Sequence, residues 1–331
     1  MMAIVRGIAL RIAHTVHLAM SAHSPVCNLS FSPEILFQCL TKLVTIQVRG
    51  GFAGMKGQKK HMDALERIAR GLPADLVEAS LICAVDEYPD LNVTDYLEQV
   101  QVMAEAFDIF VAGETQPVAV LHMLNEFFFS DLKFAGNNAE YYDPRNSYIN
   151  EVIDRRTGIP ITLSVLYRSI AASAGIQLEG VNLPGHFMLS HECGNNKRIY
   201  IDVFSGGDWL DWKACQARVQ TTMNEGTPLV ESDFEPMPAR EILVRMLRNL
   251  KGIYSRVDLC RCLAVQKRLA QLLPNDPSES RDLGLLYYHN EKPAMAMNTL
   301  DSLLRQHPKL EDREFVRKYL HLATTEAICL N

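Results

Sequence analysis

Apolar residues recur at helical spacing behind Pro160: Ile161, Val165, Leu166 and Ile170 lie on one side of a turn, with Ser169 among them, and the run closes at Gly175. A proline at the first helical position and a glycine past the last bracket a predicted helix. The period then changes. Phe187 to Ser190 and Arg198 to Val203 are strand-like and flank Gly194-Asn195-Asn196, which predicts a hairpin. Centred near Gly194, that hairpin sets His186 and Asp202 roughly opposite one another.

Upstream, between Asp63 and Phe129, three helical patterns follow each other: one around Leu76-Val77 and Ser80-Leu81, one from Thr94 to Val111, and one from Pro117 to Phe129. Asp86-Glu87-Tyr88-Pro89-Asp90 breaks the first from the second. Thr94 is the expected N-cap of the second helix, and Leu97, Val100, Ala104 and Phe107 form its apolar stripe. Phe127-Phe128-Phe129 reads as core. Downstream, Leu283-Gly284, Tyr287, Ala296 and Pro308 fall at tetratricopeptide spacing, and Pro274 stands one repeat length ahead of Pro308. The earlier repeat, around Leu243 to Pro274, has Leu250 where Gly284 aligns, and Glu311 to Leu330 reads as a capping helix.

The chemistry concentrates between Asn146 and Gly207: Asn146-Ser147-Tyr148-Ile149-Asn150, Gly158-Ile159-Pro160-Ile161-Thr162, Leu183-Pro184-Gly185-His186-Phe187 and Ile201-Asp202. Thiol catalysis places a Cys at a helix N-terminus, where the dipole lowers its pKa, beside a His that a carboxylate orients. This stretch has the helix, the His and the Asp, and Pro160 where the Cys belongs. It resembles the transglutaminase-like superfamily and, more narrowly, the bacterial SirB-type regulator family, from about Asp63 to Pro308. The resemblance implies that His186 matches the catalytic His, Asp202 the catalytic Asp, and Pro160 the site of the nucleophile. Proline carries no nucleophile, so acyl transfer by that mechanism is not expected. Thr162, in the first turn, is the substitute a hydroxyl mechanism would use, with Ser164 behind it. First-turn hydroxyls more commonly satisfy free backbone N–H groups. With the nucleophile missing, His186 and Asp202 are expected as a retained dyad that is structural or cleft-lining, and Asn146, Asn150, Pro160 and Gly185 are the candidate binding residues.

No metal or cofactor is expected. His191 and Cys193 alternate away from His186 on the strand. The eight cysteines form no C-x-x-C pair, and Cys260 and Cys262 point apart on a helix, the usage of a reducing compartment. With 331 residues, 48% hydrophobic and 22% charged, the chain reads as an ordinary globular protein. A net charge of −6 argues against nucleic acid as the main partner. Nucleotide-loop and zincin motifs do not occur.

The first sixty residues carry Arg6, Arg11, Lys42, Arg49, Lys56, Lys59 and Lys60 against Glu34 alone. The charges within their apolar start argue against a membrane span, and the segment suits a plastid or mitochondrial transit peptide, a mis-assigned or functionless leader, or a surface or partner-binding helix. The expected class is therefore α+β: a basic leader over 1–60, a helical lead-in with a papain-like helix-plus-antiparallel-sheet core over 61–235, and helical repeats over 236–331. The expected function is a non-catalytic regulatory or protein-interaction protein that is intracellular and takes a protein or peptide through its cleft or tail. The alternative is an amidase or peptidase using Thr162 or water with His186 and Asp202.

Overall fold

The computed structural model describes residues 58–194, 197–222 and 229–329. Most of the basic leader lies outside the described residues, while Gln58 to Lys60 open the first helix. In chain order the helices are α1 (Gln58–Ala69), α2 (Leu76–Ala84), α3 (Val93–Phe110), α4 (Pro117–Asn125), α5 (Ile149–Arg155), α6 (Pro160–Ser173), α7 (Trp212–Thr222), α8 (Ala239–Val257), α9 (Leu259–Leu272), α10 (Pro277–His289), α11 (Pro293–Gln306) and α12 (Arg313–Cys329). The strands are β1 (Ala135–Gly136), β2 (Thr157–Gly158), β3 (Glu179–Leu183), β4 (His186–Glu192), β5 (Arg198–Asp202) and β6 (Asp208–Leu210). They sort into two compact units that interleave along the chain: Thr94–Gly136 with Arg156–Glu235, and Lys59–Val93 with Asn137–Arg155 and Pro236–Asn331.

The first unit is built on an antiparallel sheet in the order β3-β4-β5-β6. The expected hairpin is its middle pair, and β3 and β6 extend it on either side. Val181, Leu183, Met188 and Tyr200 form one buried cluster with Cys215 and Val219 of α7 and with Leu229 and Phe234. Each large aliphatic side chain so buried stabilises by roughly 1.5–3 kcal/mol. Helix α6 packs against β4 and the turn after β5, and α3 is tied to its end where Ser173 donates to the Ala104 carbonyl at 3.2 Å. Helix α3 begins at Val93, so Thr94 lies in its first turn rather than capping it. Behind α4, Glu126–Asp131 forms a π-helical turn in which Phe127 and Phe128 are fully buried, and Phe128 stacks on Phe134 at 4.4 Å.

The second unit holds the repeats. Helices α8 to α12 pack on their successors in sequence, the stacking by which helix pairs bury faces they cannot bury alone. The glycine that marks tetratricopeptide spacing has a packing cause: a Cβ on Gly284 would lie 2.3 Å from Leu300 Cδ2. Leu250, its counterpart in the first pair, is buried instead. Ion pairs recur at a constant separation of 31 residues: Arg248 to Glu279 and Lys251 to Asp282 join α8 to α10, and Arg281 to Asp312 joins α10 to the turn that opens α12, at 2.8, 2.7 and 2.7 Å. Glu279 is buried and also accepts from Gln266 at 2.8 Å. Among the described residues no helix is long and apolar enough to cross a membrane.

Candidate functional site

Pro184 and Gly185 make a two-residue turn, because Leu183 pairs with His186 across it. Gly185 has φ 69°, the left-handed second position of a Pro-Gly turn, where glycine incurs no steric penalty. That turn decides where β4 begins, and His186 is its first residue. Asp202 is the last residue of β5. The register pairs Leu189 with Ile201 and Ser190 with Tyr200, so its continuation sets Asp202 beside Met188. His186 and Asp202 therefore meet on the diagonal of one face rather than directly opposite, because the hairpin is centred one residue later than Gly194 suggests.

His186 Nε2 lies 2.9 Å from Asp202 Oδ2, with side chains 9% and 0% exposed. The oxygen sits off the N–H direction, so Nε2 has no hydrogen-bond partner among the described residues. Asp202 is held by others. Oδ1 accepts the Ser205 N–H at 3.1 Å, and Oδ2 accepts Ser205 Oγ at 3.0 Å and Arg218 Nη1 at 2.6 Å. Arg218 also donates to Ser205 Oγ at 2.6 Å and, through Nη2, to Asp208 at 3.0 Å. Burial pushes the Asp202 carboxyl up, but His186, Ser205 and Arg218 beside it outweigh burial and hold it below the usual carboxylate range.

The turn leaving Asp202 is anchored separately. The Gly207 N–H donates to the Asp202 carbonyl at 2.9 Å. Gly207 has φ 80°, and a Cβ there would come within 2.1 Å of Asn125 Oδ1. Asn125 Nδ2 donates to the Gly207 carbonyl at 2.9 Å, and Tyr167 donates its hydroxyl to Asn125 Oδ1 at 2.7 Å. Helices α4 and α6 thus fix the loop that carries the carboxylate.

At the start of α6, Pro160 occupies the first helical position and is buried. Thr162 is fully buried; its Oγ1 lies 3.1 Å both from the Ile159 N–H it accepts and from the Ile159 carbonyl it can donate to. Isoleucine has no side-chain acceptor, so only this half of a capping box exists. The hydroxyl serves the helix start, as first-turn threonines commonly do. Ser164 Oγ is buried without a hydrogen-bond partner among the described residues. The thiol packed beneath the pair is no substitute nucleophile. Cys215 is fully buried, with Sγ 3.8 Å from Met188 Sδ, and burial, with Asp211 and Asp202 nearby, pushes it up to about 12. A catalytic thiol is shifted the other way.

Asn146 and Asn150 belong to the second unit. Asn146 closes a loop there, donating to the Glu140 carbonyl at 2.7 Å and accepting from Asn137 at 3.1 Å. Asn150 Oδ1 is buried without a hydrogen-bond partner among the described residues. His191 Nδ1 is 3.0 Å from the Gln177 carbonyl, and Cys193 and Cys260 are exposed while Cys262 is buried. Sequence patterning passed over Arg218, Ser205 and Asn125. The available signal was a basic residue between Cys215 and Val219 on the buried stripe of α7, and the Gly206-Gly207 pair behind a strand.

Profiles of known families match two stretches: the transglutaminase-like superfamily over residues 94–248 and the tetratricopeptide repeat over 250–321. The chain is 34% identical over 261 residues to a UPF0162 protein of Xylella fastidiosa, covering 76% of this chain and 91% of that protein. A UPF0162 protein of Vibrio cholerae is 26% identical over 215 residues, 64% and 79% of the two chains. F-box only protein 21 of Homo sapiens is 34% identical over 161 residues, 44% of this chain and 25% of that one. The Xylella likeness, at 34% identity over 91% of that protein, is what shows the family, and on that ground the chain belongs to the UPF0162 family.

Proposed function

We propose that the protein is a non-catalytic regulatory or protein-interaction module, a transglutaminase-like core whose site has lost its nucleophile, joined to a tetratricopeptide-like tail that engages a protein or peptide. The observation that carries this reading is Pro160 at the first position of α6 while His186 and Asp202 persist. A His-Asp pair alone cannot form a thioester. Two further observations support it: the Thr162 hydroxyl is bonded to the backbone of Ile159, and the Cys215 thiol is raised rather than lowered. Tetratricopeptide-like stacks present faces on which peptides dock, which makes the tail the first place to look for a partner.

The test is a pair of measurements on the whole chain. Affinity capture should recover a partner that competes away with excess untagged protein and is lost when the exposed Phe315 and Leu322 of α12 are replaced by Glu. Hydrolysis or transfer assays on peptide amides should show no turnover. Turnover that disappears in His186→Ala would replace this reading with the amidase or peptidase one, with Thr162 or water as attacking group.

A further inference from the structure

Asp202 Oδ2 has three neighbours, and they are not equivalent. Arg218 Nη1 stands at 2.6 Å and Ser205 Oγ at 3.0 Å, both in hydrogen-bonding geometry, whereas His186 Nε2 at 2.9 Å is off-axis. A guanidinium is charged at every pH at which the protein folds, and a charge-assisted hydrogen bond is about twice as strong as a neutral one. Arg218 is further fixed by Asp208 at 3.0 Å. In a working triad the carboxylate is the imidazole's partner and stabilises the imidazolium as it forms.

We propose that Arg218 is a positioning residue that holds Asp202 Oδ2 off the His186 N–H axis, so that the imidazole keeps the carboxylate's charge beside it but not an aligned hydrogen bond. The proposal rests on the non-catalytic reading above and extends it. The site lacks the nucleophile at Pro160, and its carboxylate is also aligned on a helix cation rather than on the imidazole. His186 then serves the site by its shape and position at a strand end. Ser205 assists by occupying the remaining directions around the carboxylate through both its N–H and its hydroxyl.

The experiment is a long-range nitrogen–proton correlation spectrum of the histidine side chains in the full chain at fixed neutral pH. It compares wild type with Arg218→Gln, Arg218→Lys and Ser205→Ala. In wild type the Nε2–H of His186 is expected at an ordinary imidazole position, and because the ring is buried the chemical shift rather than exchange with water is the readout. In Arg218→Gln, Asp202 is released to align with the ring, and the same proton should move downfield, as a charged acceptor demands. Arg218→Lys retains a cation and should stay near wild type. A wild-type spectrum that already shows the downfield proton overturns the proposal without any variant, which covers the case in which Arg218→Gln fails to fold. An unchanged resonance in a folded Arg218→Gln overturns it as well. Neither outcome depends on partner capture or turnover, so the proposal and the functional reading fail separately.

Discussion

Gly284 of α10 lies against Leu300 of α11 at a distance that leaves no room for a methyl group: the added Cβ would come 2.3 Å from Cδ2 and 2.6 Å from Cγ. Leu300 is fully buried and anchors a cluster with Leu303, Leu304 and Val316, so it has nowhere to retreat. Gly284→Ala should destabilise the tail by about 1–3 kcal/mol through overpacking, despite alanine's better helix propensity of roughly 1 kcal/mol. Urea unfolding of Gly284→Ala, Leu300→Ala and the double variant checks it. The double should cost less than the two singles together, and strict additivity would show that the two side chains do not compete for one space.

His186→Ala is expected to lower stability by about 1–3 kcal/mol. The ring is nearly buried and its removal leaves a void beside a charged carboxylate. Thermal unfolding reads the effect. An unchanged melting curve accompanied by loss of a measured activity would point to catalysis.

The Asp202 carboxyl titrates below its ordinary value in the folded protein. A depressed pKa contributes stability that is present above the unfolded value of about 3.9 and is lost as pH falls through the folded one. Stability should therefore drop from about pH 5 downward, and Asp202→Asn should be less stable at pH 7 with a shallower fall in acid. Asp143 and Asp276 are also lowered, chiefly by Arg145 and Ser278 respectively, with burial opposing in both and counting most at Asp143, so part of the slope remains in the variant. Urea midpoints from pH 7 to pH 3 measure it; parallel curves for the two proteins would contradict the assignment.

Amine incorporation into a glutamine substrate should be absent, and iodoacetamide should change nothing. No cysteine lies between Asn146 and His186, and the buried thiol of Cys215 is raised to about 12. Robust incorporation abolished by iodoacetamide would sink the prediction.

Much of this architecture is legible in the chain because local chemistry is strong there. Pro160 and Gly175 bracket α6 as their backbone preferences dictate, and Gly194 and its neighbours announce the β4–β5 hairpin. The repeat glycine and prolines mark the tail for a packing reason visible at Gly284. Contacts set by distant residues are not legible. The diagonal offset of His186 and Asp202 depends on register; β3 buries Gly180 and Val181 side by side and so does not alternate, and β6 spans only three residues. The partition of Asp202 between His186 and Arg218 is fixed by a helix sixteen residues further on, which no local spacing encodes.

The ion pairs at 31-residue separation give the tail a mechanical character. Each one ties a helix to the next but one or to the turn that opens it, so a pull along the stack loads them in series, as rungs between coils of a spring. Lys251 and the buried Glu279, 3.6 Å apart and 23% and 4% exposed, make a joint that salt screens less than the Arg281–Asp312 joint, about a third exposed on both sides, which softens as the Debye length contracts. Ionic strength therefore tunes the compliance of the tail from its far end inward.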